Sequence, residues 1–276
     1  MSDLGVSLII STYDQPEYLD RVLAAVSAQS VHPAEVLVAD DGSGEATEKL
    51  FCRWQEAQPF RCERVWQPHE GFRKARILNA AIASATAPYC VLLDGDTVPH
   101  PRFIGDHAML ARPGYFVQGH RAMIGRVGAR FFGLESFRRD RWRALVAFQV
   151  GGLKHAFRWP FPLQRVRTDL RGVRGCNLAV WRADLEKVNG YNEDFVGWGR
   201  EDSELVVRLM NSGLRRLDVR GRALCYHLWH PPASRARLAD NDDLLERAVR
   251  ERRQRCATGL DAHLRRAGCG SDASKQ

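Results

Sequence analysis

Residues Tyr89-Cys90-Val91-Leu92-Leu93 are apolar without a break, and the run ends on two carboxylates, Asp94 and Asp96, separated by Gly95. A segment apolar on both faces predicts a strand buried between helices, as in a parallel α/β sheet. Acidic groups at its carboxyl end fall where open α/β sheets bind ligands. Two carboxylates two residues apart, with a glycine between them, can face one hard cation that also holds a diphosphate. The plainer alternative is an Asp-Gly turn that closes a core strand.

Upstream, Val6-Ser7-Leu8-Ile9-Ile10 predicts the first strand, ending at Ser11-Thr12-Tyr13. Asp14, with Pro16 in the first turn and Glu17 three residues on, predicts a capped helix. Its apolar stripe is Leu19, Val22, Leu23 and Val26. Val36-Leu37-Val38-Ala39 predicts a second strand closing on Asp40-Asp41-Gly42-Ser43, followed by a helix to about residue 57 and a strand over 62–66. After Gly71 a helix carries Ile77, Leu78, Ala81 and Ile82. The Tyr89 run is then the fourth strand of a β-α-β-α alternation, which predicts a parallel, doubly wound sheet with right-handed crossovers. Two strand ends carry paired carboxylates, Asp40-Asp41 and Asp94/Asp96, toward one crevice. A base and ribose at the first, with diphosphate and metal at the second, is a coherent geometry. The GxGxxG fingerprint and the P-loop signature are both absent, which disfavours a dinucleotide site or an NTPase.

At 276 residues, with 45% hydrophobic and 27% charged residues, the chain has the make-up of a soluble globular enzyme with a sizeable core. No run of about 18 apolar residues occurs, so no membrane span is expected. The N-terminus lacks a basic region, and no secretory signal is expected. Seven unpatterned cysteines predict reduced thiols in the cytosol. The net charge of +8 predicts an anionic partner. From Arg126 to Arg171 there are eleven Lys/Arg against three acids, interleaved with Phe131, Phe132, Phe137, Trp142, Phe148, Phe157, Trp159 and Phe161. This mixture suits an anionic membrane surface, or single-stranded nucleic acid. A solvated helical face with aromatic core anchors explains it equally well.

Downstream, a helix is expected from Pro99 to about Arg112 and a strand over 115–118. Ordered structure resumes at Arg174–Trp181, with a short helix over 184–188. Gly197-Trp198-Gly199-Arg200-Glu201-Asp202 leads into a helix carrying Leu205, Val206, Leu209 and Met210 that stops at Gly213. Acids at a helix start complement its dipole without any chemistry. That leaves Trp198 between two glycines unexplained, whereas an aromatic face beside two carboxylates fits a sugar. His227 and His230, three apart after an apolar strand, can add nitrogen ligands to an oxygen-rich metal site or be structural. Arg-rich amphipathic helices are expected over 240–266, and a disordered tail over 267–276.

Ser11-Thr12-Tyr13, Asp40-Asp41-Gly42-Ser43, the Gly71…Asn79 helix and Asp94-Gly95-Asp96 together resemble the nucleotide-sugar domain of family 2 glycosyltransferases of GT-A fold, over roughly residues 5–120. The resemblance implies Ser11, Tyr13 and Asp41 at the uridine, and Asp94 and Asp96 at the donor diphosphate and its Mn²⁺ or Mg²⁺. The family's helix often reads Arg-Asn where this chain has Leu78-Asn79. A phosphate-facing cation then comes from Arg73, Lys74 or Arg76, Arg76 being the nominal choice, or is absent. The segment Gly190–Asp202 is similar to the acceptor-side motif shared by galactosyltransferases, polypeptide N-acetylgalactosaminyltransferases and bacterial chondroitin-type polymerases. That similarity implies Asp202 as the general base of an inverting transfer, Trp198 and Glu201 at the acceptor, and His227, with His230, as metal ligands. Ser203 and Glu204 stand where the vertebrate galactosyltransferase motif has further Asp, which leaves the acceptor open.

The expectation is one GT-A α/β domain over 1–266: a nucleotide-sugar half (1–120), a basic aromatic insert (121–171), an acceptor half (172–235) and C-terminal helices (236–266). It would be a metal-dependent enzyme moving a hexose or N-acetylhexosamine from a UDP-sugar to a bacterial surface glycan or glycolipid. It would be cytoplasmic, or peripheral at an anionic inner-membrane face, with no nucleic acid partner and an oligomeric state the sequence does not give. A nucleotidyltransferase acting on sugar phosphates and a basic nucleic-acid-binding module are the alternatives.

Overall fold

The computed structural model describes residues 4–133 and 150–272. Strands β1 (Val6–Thr12), β2 (Glu35–Asp40) and β3 (Arg61–Trp66) alternate with helices α1 (Pro16–Ser27), α2 (Glu45–Gln55) and α3 (Lys74–Ser84), and β4 (Tyr89–Asp94) completes the series. The pairings β1–β2, β1–β4 and β2–β3 are all parallel. Every residue of β2 is buried, and β4 opens only at Asp94, as strands covered on both faces should. One face is packed by the α1 stripe Leu19, Val22, Leu23 and Val26, the other by Ile77, Leu78, Ala81 and Ile82 of α3.

Asp14 does not cap α1. The cap position is Gln15, which makes no side-chain cap bond. Asp14 takes a left-handed conformation (φ 46°), and its N–H donates to Ser43 Oγ at 2.8 Å. That bond joins the loop after β1 to the turn after β2, so the two strand ends at the crevice are held together.

The chain continues through β5 (Thr97–Pro99), α4 (Phe103–Leu110), β6 (Tyr115–Gln118), β7 (Arg121–Ile124), β8 (Leu163–Arg167) and β9 (Leu178–Trp181). Then come α5 (Arg182–Val188), α6 (Glu201–Asn211), β10 (Arg215–Arg220), β11 (Cys225–Leu228), α7 (Leu238–Arg250) and α8 (Asp261–Asp272). Helix α4 is shorter than its sequence pattern because Thr97–Pro99 is drawn into a strand. Among the described residues the large sheet runs β3-β2-β1-β4-β9-β6-β10-β8, and a small sheet runs β5-β11-β7. Strand β9 lies antiparallel between β4 and β6 and thereby joins the two halves of the chain. The expected doubly wound, mostly parallel architecture is the one adopted.

Of the basic aromatic segment, Phe137, Arg138, Arg139, Arg141, Trp142, Arg143 and Phe148 lie outside the described residues. Among those described, Phe131 and Phe161 are strongly exposed. No described helix is long and apolar enough to cross a membrane.

Candidate active site

The carboxyl ends of β1, β2 and β4 form one wall. Gly95 approaches β1 so closely that a Cβ there would meet Ser11 O and Thr12 Oγ1 at 3.0 Å, which is why glycine separates the two acids. Asp94 Oδ1 accepts from Ser11 Oγ (2.9 Å) and from Lys74 Nζ (2.7 Å). Lys74 opens α3, whereas Arg76, two residues along, acts electrostatically on Glu193. Arg73 is spent on Glu70 and the Pro68 carbonyl. Of the three candidate cations, Lys74 is therefore the one that reaches Asp94.

At the β2 end, Asp40 is a structural acid. It is fully buried, bonded to Arg64 Nε (2.8 Å) and to the Ser43 N–H (2.8 Å). Asp41 Oδ1 accepts from Gln67 Nε2 (2.6 Å) and its Oδ2 from the Arg73 N–H (2.8 Å), so it anchors the loop ahead of α3. Gly42 must be glycine on two counts: its φ is +95°, and a Cβ there would strike the His69 backbone at 2.5 Å. The His69 ring stacks on Tyr13 with centroids 4.3 Å apart and planes 11° apart. Tyr13 is exposed, so this pair offers a flat aromatic surface at the mouth of the crevice. His69 carries no signal in the sequence that marks it for this place.

The small sheet assembles the second cluster. Antiparallel pairing sets His227 on β11 opposite Thr97 on β5, next to Asp96. His230 Nε2 lies 3.0 Å from Asp96 Oδ2, and His227 Nε2 lies 3.6 Å from Asp96 Oδ1. One ligand atom from each of Asp96, His227 and His230 falls within 4.8 Å of the others. The buried His227 Nδ1 has no hydrogen-bond partner. Burial would raise the Asp96 carboxyl, but the His230 hydrogen bond and the two imidazoles outweigh it and hold it down at about 2. Burial pushes His227 down, keeping its imidazole neutral, the form that ligates metal. A carboxylate with two imidazole nitrogens is a fitting donor set for a divalent transition metal.

The opposing wall carries the Trp-Gly-Arg-Glu-Asp segment. A Cβ at Gly197 (φ +81°) would lie 2.9 Å from Arg237 Cβ, and Arg200 at the helix cap is itself left-handed (φ 76°). This tight path turns Trp198 outward, 41% exposed, beneath the Arg235 guanidinium 5.5 Å from its ring. Asp202 is fixed at both oxygens: Gly175 N–H donates to Oδ2 at 2.7 Å, and Tyr191 Oη–H donates to Oδ1 at 3.2 Å. Gly175 must be glycine, since a Cβ would lie 2.2 Å from Asp202 Oδ1. Tyr191 is itself clamped by Asn79 of α3, which accepts its N–H and donates to its carbonyl, both at 2.8 Å.

The two walls meet at Lys74. Burial alone would depress its pKa, but Asp94, then Asp202 and Glu201, reverse this and keep the ammonium charged well beyond the usual lysine range. Carboxylates more than a hundred residues apart in the chain thus act on one cation. Arg121 on β7 adds a second: burial opposes its charge, while Cys176, Asp94 and Asp96 favour it, and its Nε is buried without a partner. Neither Arg121 nor Tyr191 was marked by sequence reasoning, because only the fold brings them to the cleft.

Glu201 is raised to about 7, chiefly by burial and then by the Asp202 charge, against the pull of Lys74. In the folded chain Glu201 keeps its proton between the ordinary value of 4.5 and about 7, while the unfolded chain loses it. Its contribution to stability therefore falls as pH rises through that window. Glu201→Gln is expected to flatten the fall, which melting temperatures from pH 4.5 to 7.5 would measure; an unchanged slope would contradict the assignment.

The model of glycosyl transferase family 2 matches residues 7–171, more than half of the chain. The chain belongs to glycosyl transferase family 2. A second model, described as the N-terminal domain of galactosyltransferase, matches residues 157–231, the segment that holds Trp198, Glu201, Asp202 and His227. This family 2 chain is 29% identical over 226 residues to the validoxylamine A glucosyltransferase of Streptomyces hygroscopicus subsp. limoneus, covering 76% of this chain and 48% of that protein. It is 26% identical to the chondroitin synthase of Escherichia coli, covering 81% and 34%. The chain thus spans half or less of the length of these curated relatives. Among solved structures, S. aureus TarS 1–349 in complex with UDP superposes with a TM-score of 0.63 at 13% identity, covering 94% of this chain and 68% of that one. The sheet is that of the GT-A fold.

Proposed function

We propose that this chain transfers a hexose or N-acetylhexosamine from a UDP-sugar to a hydroxyl of a bacterial surface glycan, such as a lipopolysaccharide core, a capsule or another lipid-linked glycan, with inversion at the anomeric carbon. The observation that carries this reading is the convergence of Asp94, Glu201 and Asp202 on Lys74 in one cleft, with the Asp96, His227 and His230 cluster following directly on Asp94. Relatives that make polysaccharide, such as the chondroitin synthase, support the glycan class of the acceptor.

The stacked Tyr13 and His69 rings receive the uracil, and Ser11 orients Asp94 beside the ribose and diphosphate. Lys74 and Arg121 supply positive charge where the diphosphate would lie. Asp96, His227 and His230 would hold a divalent cation, which when bound is a Lewis acid for the departing diphosphate. Two imidazole nitrogens favour Mn²⁺ over Mg²⁺, which prefers an all-oxygen shell. Trp198 offers a face to the acceptor ring, and Glu201, protonated near neutrality, can donate to a sugar oxygen as well as accept. Asp202 keeps the lone pairs left free by Gly175 and Tyr191 for the acceptor proton, so the hydroxyl attacks opposite the leaving group. One direct displacement inverts the centre.

A screen of UDP-sugars by release of UDP tests this. Turnover is expected with Mn²⁺, is expected to be lower with Mg²⁺, and should vanish with EDTA. Full turnover in EDTA would remove Asp96, His227 and His230 as a metal site. The acceptor reading includes an anionic membrane surface, supported by the exposed Phe131 and Phe161 and by the basic run around them. Flotation with phosphatidylglycerol liposomes is expected to carry the protein upward. Glutamine at Arg138, Arg139, Arg141 and Arg143 should abolish that, and unchanged flotation would refute it.

A further inference from the structure

On the far end of the small sheet lies a pocket of about 330 Å³ lined by His100, Arg102, Arg158, Trp159 and Pro160. It is not the transfer cleft. The three residues of β5 separate Asp96 from His100, four steps of extended chain or about 13 Å at about 3.3 Å per step. Its volume lies at the lower end of the range for small-ligand pockets.

The walls are built to hold their shape. The Trp159 backbone N–H donates to Gly221 O at 3.0 Å, and its side chain presses on Gly221 so closely that a Cβ there would meet the Trp159 Cγ at 2.8 Å. Arg222 crosses behind the lip, donating to the Trp159 and Pro160 carbonyls. Arg158 is held by the buried Asp106, with Nη2 to Oδ1 at 2.8 Å and Nε to Oδ2 at 3.3 Å. Arg222 reaches the same carboxylate at 3.7 Å.

The charges do not balance. Arg158 and Arg102 both act on Arg222, and the only acid in that group among the described residues is Asp106, already shared by Arg158 and Arg222. Burial first, and then Arg158 and Arg102, depress the Arg222 guanidinium. Like charges gathered around one carboxylate are relieved by an anion. Guanidinium groups match phosphate and carboxylate bidentately, and a ring beside them matches the apolar face of a sugar.

We propose that this pocket is a second saccharide site that binds an acidic sugar unit, a hexose carrying a phosphate or carboxylate, outside the transfer cleft. Arg102 and Arg158 take the anionic group and Trp159 takes the ring. A growing acidic glycan would be gripped there while its end reacts elsewhere. The site stands independently of which sugar is transferred.

The test is calorimetric titration of the full chain, saturated with UDP and Mn²⁺ so that the transfer cleft is filled. Glucose 6-phosphate, inorganic phosphate and glucose are the probes. Glucose 6-phosphate is expected to bind, and each simpler probe to bind at least about tenfold more weakly. Arg102→Glu and Trp159→Ala are each expected to weaken glucose 6-phosphate about tenfold or more. Arg158 is left intact because it neutralises buried Asp106, and thermal melts check that both variants fold. No binding of glucose 6-phosphate, or binding untouched by either substitution, overturns the proposal. Equal binding of inorganic phosphate leaves a plain anion site and overturns the saccharide assignment. Displacement of the sugar phosphate by phosphatidylglycerol vesicles would assign the pocket to a lipid headgroup and overturn it as well.

Discussion

Asp202→Asn is expected to lower kcat by about 10²–10⁴-fold while the Kd for UDP with Mn²⁺ stays unchanged. Asparagine keeps the size of the side chain and can still accept the Gly175 N–H and face the Tyr191 hydroxyl, so the wall of the cleft survives. It cannot take a proton. Steady-state rates with a fixed acceptor, paired with calorimetry of UDP, separate the two effects. Retained turnover with intact donor binding would dismiss Asp202 as base and leave Glu201 as the remaining carboxylate on that wall.

Arg208→Met is expected to destabilise the fold by about 3–5 kcal/mol, the cost of stranding one half of a buried ion pair. Arg208 and Glu204 are both essentially inaccessible. They bond twice, Nε to Oε1 at 2.8 Å and Nη2 to Oε2 at 2.7 Å, while Arg208 Nη1 donates to the Val188 carbonyl at 2.6 Å. Urea unfolding should show a lower midpoint at constant slope. Adding Glu204→Leu to Arg208→Met should recover much of the loss, because an apolar pair of similar volume leaves no uncompensated charge. A single-variant cost below about 1 kcal/mol, typical of exposed pairs, would contradict this placement. Glu204, which departs from the further Asp of the vertebrate galactosyltransferase motif, is therefore held in the buried pair with Arg208.

The elements that build the sheet were legible because their signals are local. The unbroken apolar run of β4, the i, i+3, i+4, i+7 stripe of α1 and the glycine after α6 are each decided by neighbours a few residues apart. The placement of Asp94-Gly95-Asp96 at a strand end and of Glu201-Asp202 at a helix start was legible for the same reason. What could not be read was which cation faces them. Lys74 and Arg76 differ by about 200° around a helix, so a start of α3 at Lys74 sends one to Asp94 and the other toward Glu193. Charge composition is blind to that. His69, Arg121 and Tyr191 reach the cleft only through pairings between distant segments, which no short window contains. Asp14 misled because a cap signature competes with a cross-loop bond to Ser43, and the partner lies 29 residues away.

Asn79 sits on α3, yet both polar atoms of its amide grip the backbone of Tyr191, more than a hundred residues on, whose hydroxyl steadies Asp202. The halves are therefore not interchangeable cartridges. A hybrid spliced from two relatives between Asn79 and Tyr191 would inherit Asp202 from one parent and the brace for that carboxylate from the other. Such a graft should regain its rate only when the amide on the third helix is matched to the incoming loop, which makes this one side chain the first position to engineer in any exchange of acceptor modules.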